Sequence, residues 1–340
     1  MNKKVLIVSP NFFYFSESIA TAFRKLGWQV ELSKFDTPVH PYNLQNKLKY
    51  KISNKKSEII EAGRKLFSES VKNKFESFCP SLVFIVNGDA LHADITASFH
   101  TSAKVVIWFF DSIVKYPDMK KNIPFADAVF CYERSDIDLI KTEFNITSTF
   151  LPQAADLSRY YKIYDIKKKY DIVFAGDIWQ SEKRQRILHK VIESFPEKKI
   201  LVWGIYKPWY KGIWKWITRE RRDIYMNRNV DSETLNKSYN ESRIVLNIHN
   251  EQQNDGANPK VYEISATGSY QICDANPYIQ SLFNNDEIGM YHTDEECIKL
   301  IDRALKINHE KECLMAKEKI EKYHTFDSRI KCVLNEIELL

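Results

Sequence analysis

Short apolar runs alternate along the whole chain with longer segments whose apolar residues recur every three or four positions. This is the pattern of parallel strands linked by crossover helices, and it predicts an α/β fold. In the first half the strand candidates are 4–8, 29–32, 82–86, 105–109, 128–131 and 148–151, several apolar enough to be buried on both faces. Between the first two, Ile19, Ala20, Phe23 and Leu26 form one stripe of a helix over 16–26 that Gly27 closes. The segment 44–78 also reads as helix.

Around Leu151-Pro152-Gln153-Ala154-Ala155-Asp156 the alternation pauses, and after Lys167–Tyr170 it restarts with Asp171-Ile172-Val173-Phe174-Ala175-Gly176-Asp177. The restart predicts a second domain with strands at 171–175, 199–203, 229–230, 244–248 and 270–273. Helices are expected near 182–194, 232–241, 259–267, 277–283 and 294–306, and 309–340 is strongly helical. Two domains suit a chain of 340 residues. We place them at 1–155 and 156–322, with 323–340 as a closing helix. Two successive open α/β sheets predict a cleft, because ligands sit outside the carboxyl ends of such strands.

Composition narrows the function classes. Hydrophobic residues make up 44% and charged residues 28% of the chain, so disorder is excluded as its main theme. The net charge of +5 is too mild for a nucleic-acid-binding domain, and no nucleic-acid partner is expected. The apolar start at Val5–Val8 is cut off by Ser9-Pro10-Asn11, too short for a signal-peptide core, so a cytoplasmic protein is expected. Six cysteines without a CxxC pair read as core residues or helix-face thiols, not as a disulfide framework or a zinc site. Two local patches stand out. Residues 47–74 carry nine Lys/Arg against three Asp/Glu, foremost a solvated face. The run 206–217 interleaves Lys with Trp and Tyr, as an insertion that packs locally, docks peripherally at a membrane interface, or touches an acceptor.

The most informative stretch is Ile244–His249 followed by Asp255–Gly268: a strand, a polar loop and a capped helix. Asn258 suits the N-cap, Pro259 the first helical position, and Gly268 the C-terminal stop. A helix start aimed into a cleft, with Lys260 in its first turn, suits a phosphate, because dipole, orphan N–H groups and cation all favour negative charge. One turn deeper, Glu263 is placed to accept hydrogen bonds from two vicinal hydroxyls, as an acidic residue does for a ribose. The competing reading is a helix that merely packs, with Glu263 on a solvated face.

Residues 258–270, Asn-Pro-Lys-Val-Tyr-Glu-Ile-Ser-Ala-Thr-Gly-Ser-Tyr, resemble the N-x-R-x-(F/Y)-E-x-x-A-x-G signature of the CgeB-like, group-1-type bacterial glycosyltransferases. Phe174-Ala175-Gly176 before Lys183-Arg184, the strand ending in Gly204, Tyr239–His249, and the closing His324-Thr325-Phe326 with Arg329 extend the resemblance over about residues 150–335. It implies a GT-B fold: two Rossmann-like domains facing across a cleft, with the C-terminal helix crossing back to the N-terminal domain. It also implies a C-terminal domain that binds a nucleotide-diphosphate sugar and an N-terminal domain that presents a glycan or lipid-linked acceptor. Glu263 then holds the ribose. Lys260 stands where the family has Arg, keeping the charge and losing the bidentate fork. Gly176, Lys183 and Arg184 line the phosphates, Asn247 and His249 end the central strand near the donor, and Asn258 caps the donor-binding helix.

Related retaining enzymes carry a second acidic residue seven positions before the ribose-binding one, and here that position is Gly256, beside Asp255. For an inverting route the candidate bases are Asp89 and Asp111, each following a strand end, where a turn residue that caps the next helix is the plainer reading. The Asp136-Ile137-Asp138 pair is discounted as a metal chelator because it opens a helix, where Ser135 or Asp136 is an ordinary cap. The fold implies that helix dipole and basic side chains neutralise the diphosphate, so no metal or other cofactor is required. The sequence thus reads as a glycosyltransferase, with a bacterial surface glycan as the product the family implies. A nucleotide-sugar epimerase and a non-catalytic nucleotide- or glycan-binding module of the same fold are the alternatives.

Overall fold

In the N-terminal half six strands lie in one parallel sheet: β1 (Lys4–Pro10), β2 (Gln29–Phe35), β3 (Leu82–Val86), β4 (Lys104–Phe109), β5 (Ala128–Cys131) and β6 (Thr149–Phe150), in the order β2-β1-β3-β4-β5-β6. The computed structural model describes residues 2–11, 14–35, 56–206, 223–251, 255–284 and 286–340. Every residue of β3 is buried, as an apolar run covered on both faces requires. The covering elements are α1 (Phe15–Lys25), α2 (Lys56–Phe78), α3 (Ala93–Phe99), a 3₁₀ helix (Pro117–Phe125) and α4 (Ser135–Phe144). Edge-to-face rings tie helix to sheet: Phe23 meets Phe84 at 5.4 Å, and Phe84 meets Trp108 at 6.3 Å between centroids. The indole N–H of Trp108, wholly buried, donates to the Leu151 carbonyl at 2.9 Å.

The second sheet is also parallel and runs β11-β10-β9-β7-β8, from β7 (Tyr170–Ala175), β8 (Ile200–Trp203), β9 (Ser242–Asn247), β10 (Tyr270–Asp274) and β11 (Gly289–Tyr291). Its helices are α5 (Glu182–Ser194), α6 (Ser232–Asn240), α7 (Pro259–Ala266), α8 (Pro277–Leu282), α9 (Asp294–Ala304) and α10 (Glu310–Tyr323). Short polar side chains start them. Ser181, Asp231, Asn258 and Asn276 each accept a backbone N–H from the first turn, and Thr293 with Glu296 makes a reciprocal capping box. The chain divides into two compact units, 1–152 with 326–340 and 153–325.

The helical segment 309–340 is two helices. It breaks at His324–Thr325, where the His324 carbonyl accepts the Ala155 N–H and Thr325 bridges to Ala155. Beyond the break, α11 (Phe326–Glu336) belongs to the N-terminal unit. Phe326 packs on Phe15 and Trp108, and the Arg329 Nε donates to the Pro152 carbonyl at 2.7 Å. The closing residues His324, Thr325, Phe326 and Arg329 thus sit where the chain passes from one unit to the other.

Other expectations are corrected. Residues 229–230 form no strand; instead Tyr225 makes an isolated bridge to Val202. β11 was not foreseen, being three residues that start with Gly. Neither Ser135 nor Asp136 caps α4: the fully buried Asp136 carboxylate accepts the Ser112 hydroxyl at 2.8 Å and the Ile113 N–H at 3.0 Å, while Asp138 is exposed. The first part of the basic segment, 44–55, lies outside the described residues, as does 207–217 of the aromatic and lysine run. All six cysteines are free thiols, four of them buried. Among the described residues no helix is long and apolar enough to cross a membrane.

Gly204 has φ +123°, and a Cβ built there would lie 1.8 Å from the Gly176 carbonyl oxygen. Backbone is the obstacle, so no side-chain shift relieves it. Gly204→Ala is expected to destabilise the protein by about 3 kcal/mol, through positive-φ strain and forced displacement of the β7 end. A denaturant midpoint unchanged by that substitution would refute the close approach.

Candidate functional site

In the C-terminal unit the strand order reverses between β7 and β9, which opens their carboxyl ends to a ligand. Arg184, 8% exposed, spans that point: its Nε donates to the Ile248 carbonyl just past β9 at 2.9 Å, and its Nη1 to the Asp177 carbonyl just past β7 at 2.8 Å. A guanidinium suits this task because its rigid fork meets two carbonyls of fixed spacing. At Gly176 a Cβ would crowd the Phe174 ring at 3.1 Å and meet Arg184 Cζ at ordinary contact distance, 3.6 Å. Arg184, expected to line the phosphates, thus joins the two strand ends through its Nε and Nη1.

Lys183 is also engaged. Its Nζ lies 2.6 Å from Asp274 Oδ2, while Asp274 Oδ1 accepts both the His249 backbone N–H at 2.9 Å and the His249 Nδ1–H at 2.8 Å. Burial pushes the Asp274 carboxyl up, but the neighbouring imidazole and ammonium outweigh it and hold the group well below the usual carboxylate range. A carboxylate on Nδ1 fixes the tautomer and ring angle of His249, whose buried Nε2 has no hydrogen-bond partner among the described residues. At the start of α5, Glu251 accepts the Ser181 hydroxyl at 2.9 Å and the Lys183 N–H at 2.9 Å. The positive end of that helix is thus occupied by the protein's own carboxylate.

The start of α7 is built differently. Asn258 caps it through the Val261 N–H at 3.2 Å and pairs with Asn247, whose amide also donates to Gln271 Oε1 at 2.9 Å. Asn247, 1% exposed, thus ties the helix start to the sheet. Half-buried Lys260 has no hydrogen bond or ion pair among the described residues. Burial and the nearby Arg184 pull its pKa down, against the pull of Glu263. Glu263 is 3% exposed, which removes the solvated-face reading of this helix. Burial pushes the Tyr239 hydroxyl well above its ordinary pKa, and the Glu263 charge adds to it. Gly256 offers only backbone; its carbonyl accepts the Asn276 amide at 2.8 Å.

His249 Nδ1, Cys273 Sγ and an Asp274 oxygen lie within 4.8 Å of one another, close enough to share a metal ion. They do not suit one. Burial holds the Cys273 thiol protonated, His249 Nδ1 and Asp274 already satisfy each other, and the Lys183 ammonium sits on the remaining carboxylate oxygen.

In the N-terminal unit the strand order reverses between β1 and β3, and Asp89 and Asp111 follow β3 and β4 beside that point. Both carboxyls are pushed up, first by burial. For Asp89 the charges of Asp111 and Asp118 add to this against Arg64, while for Asp111 the Asn87 amide and Lys115 oppose it. Neither caps the helix that follows it: α3 starts at His92 and the 3₁₀ helix at Tyr116, each without a side-chain cap.

Sequence reasoning missed Asp274, Glu251 and Asn87. Asp274 ends an apolar strand, as Asn247 does, and that position was the available signal.

The model of a family described as glycosyl transferase-like matches residues 183–335, from the start of α5 into α11. No curated protein matches the chain. Solved structures do. Sucrose-phosphate synthase from Thermosynechococcus elongatus aligns with TM-score 0.72 at 12% identity, over 98% of this chain and 99% of that one. A trehalose-6-phosphate protein from E. coli bound with UDP-2-fluoro glucose aligns with TM-score 0.66 at 11% identity, over 99% of each. Anabaena HepE in complex with UDP aligns with TM-score 0.64 at 8% identity, over 99% of this chain and 100% of that one. The fold is GT-B.

Two half-buried carboxyls of this GT-B chain should answer to substitution with opposite signs. Asp111 binds its proton more tightly folded than unfolded, so its contribution to stability falls as pH climbs from the ordinary carboxylate value through the raised folded one. Asp111→Asn should therefore raise Tm at pH 7 by about 1–3 °C, a gain that fades toward pH 4. Asp274 has a lowered folded pKa, so its contribution is in place above the ordinary value and is lost only well below it. Asp274→Asn should cost about 3 kcal/mol at pH 7, because it strands a buried histidine and a half-buried lysine. Thermal melts of both variants at the two pH values check both signs.

Proposed function

We propose that the chain is a glycosyltransferase that moves a sugar from a nucleotide-diphosphate donor to a hydroxyl acceptor. The observation that carries this reading is the start of α7, where Lys260 stands without an ion-pair partner among the described residues one turn above the buried Glu263 carboxylate. An anion at the helix start gains from the helix dipole and from the Lys260 ammonium, which no ion pair occupies among the described residues. A carboxylate a turn deeper, in a dry surrounding, is matched to the two hydroxyls of a ribose. The glycosyl transferase-like family match spans both residues, and two GT-B neighbours hold UDP or a UDP-sugar analogue.

In this reading the helix start and Lys260 stabilise the leaving diphosphate as its charge grows, without a metal. His249, fixed by Asp274, borders the donor. The N-terminal unit supplies the base that takes the acceptor's proton, with Asp111 or Asp89 in that role because a raised pKa brings a carboxyl closer to the pH at which it works. Gly256 in place of a second acidic residue favours inversion over retention. We extend the reading, on the CgeB-like resemblance, to a bacterial surface glycan as product.

Calorimetric titration with UDP, GDP, dTDP and CMP, without metal and again with magnesium, tests the donor site. One nucleotide should bind selectively, equally well without magnesium. Lys260→Ala should weaken it about tenfold and Glu263→Ala about 10–100-fold, the range for a lost charged hydrogen bond. No binding by any nucleotide would leave a non-catalytic module of the same fold. Conversion of a nucleotide sugar without an acceptor would make the protein an epimerase.

A further inference from the structure

Asn87 follows β3 with φ +61°, a left-handed conformation that costs a non-glycine residue energy and persists only where the surroundings enforce it. The residue is 4% exposed. Its N–H donates to the Trp108 carbonyl at 3.1 Å, its side-chain Oδ1 accepts the Phe110 N–H at 2.8 Å, and its Nδ2 donates to Asp111 Oδ2 at 3.0 Å. Gly88 continues the left-handed turn at φ +83°, and a Cβ there would lie 2.9 Å from Ile85 Cγ2. Beneath it the wholly buried Asn122 donates to the Gly88 carbonyl at 2.8 Å and accepts the Thr96 hydroxyl at 2.7 Å. The turn is therefore locked from below, and its one outward product is the amide aimed at Asp111.

We propose that Asn87 is a positioning residue for Asp111, holding its carboxylate in one orientation and leaving its other oxygen to receive the acceptor's proton. The choice of side chain separates this role from a backbone one. Glycine meets a left-handed turn at less cost, and only a side chain that accepts at one atom and donates at the other binds the Phe110 N–H and a carboxylate together. Aspartate keeps the first bond and sets a second carboxylate against Asp111. The charged groups around Asp111 are Lys115 on its own loop, Asp89 after β3 with Arg64 of α2 and Asp118 of the 3₁₀ helix facing it, and Asp136 of α4 beneath the loop through Ser112. None of them donates to the Oδ2 that Asn87 holds.

The inference rests on Asp111 as the base, so its test has two separate readouts. Carbon-13 NMR of the Asp111 carboxyl in the full-length protein gives its titration midpoint without any substrate. Asn87→Gly, which fits the backbone, should move that midpoint up by about 0.5–1 unit, the share of one hydrogen bond to a carboxylate, and Asn87→Asp should move it further. Variants that lower Tm and leave the midpoint in place would overturn the positioning role. Should Asn87→Asp fail to fold, Asn87→Gly alone decides. The base assignment fails on its own if Asp111→Asn retains full transfer, whatever the NMR shows.

Discussion

Open parallel sheets concentrate their chemistry at the point where strand order reverses, and they pay there in unsatisfied backbone. At the β7 and β9 ends that cost is met by one side chain. The Arg184 guanidinium donates to carbonyls past both strands at 2.8–2.9 Å, and Gly204 lets its backbone approach that of Gly176. An unpaired buried carbonyl costs about 1–3 kcal/mol, so two of them left open would rival a large share of a domain's net stability. The helix, strand and loop that frame the candidate donor site hang from this clamp.

The clamp also explains how charge is distributed around it. Three cations crowd the strand ends, and repulsion among them must be offset internally. Arg184 is solvated by carbonyls, Lys183 by Asp274, and the start of α5 by Glu251. Lys260 differs in having no ion pair among the described residues, and burial lowers its pKa. The Glu263 carboxylate, one turn deeper in α7, opposes that shift, and its attraction for the ammonium strengthens as the local dielectric falls.

Strands were legible because a parallel sheet covered on both faces demands continuous apolar runs, as in Leu82–Val86 and Ile244–Ile248. Helix starts were legible where one residue type does one job, as at Asn258-Pro259. What stayed hidden depends on partners distant in sequence. Nothing near Asp274 announces that His249 and Lys183 will share its two oxygens, and nothing near Asn247 announces that Asn258 and Gln271 will use up its amide. Asp136 misled for the same reason. A helix-opening aspartate reads as a cap, whereas its carboxylate is taken by Ser112 and Ile113 on the loop after β4. Local pattern reveals which segments carry polar groups at strand ends; the third dimension decides which of them are already spent.

Four of the acids discussed above sort by the direction in which their surroundings push them. Asp274 and Glu251 are driven low by cations and N–H groups that outweigh burial, which keeps them ionised throughout the working range and fits them to be anchors. Asp89 and Asp111 are driven up because burial wins over the few donors near them. An anchor that took up protons would release its partners, and a base held far below neutrality would take none. The Asn87 bond is consistent with this division: a single donor opposes the desolvation of Asp111 without overturning it. Two more donors, as Asp274 has, would turn Asp111 from a proton acceptor into a fixed counter-ion. Donor number alone does not decide the direction: the wholly buried Asp136 accepts two hydrogen bonds and is still pushed up, because burial outweighs both.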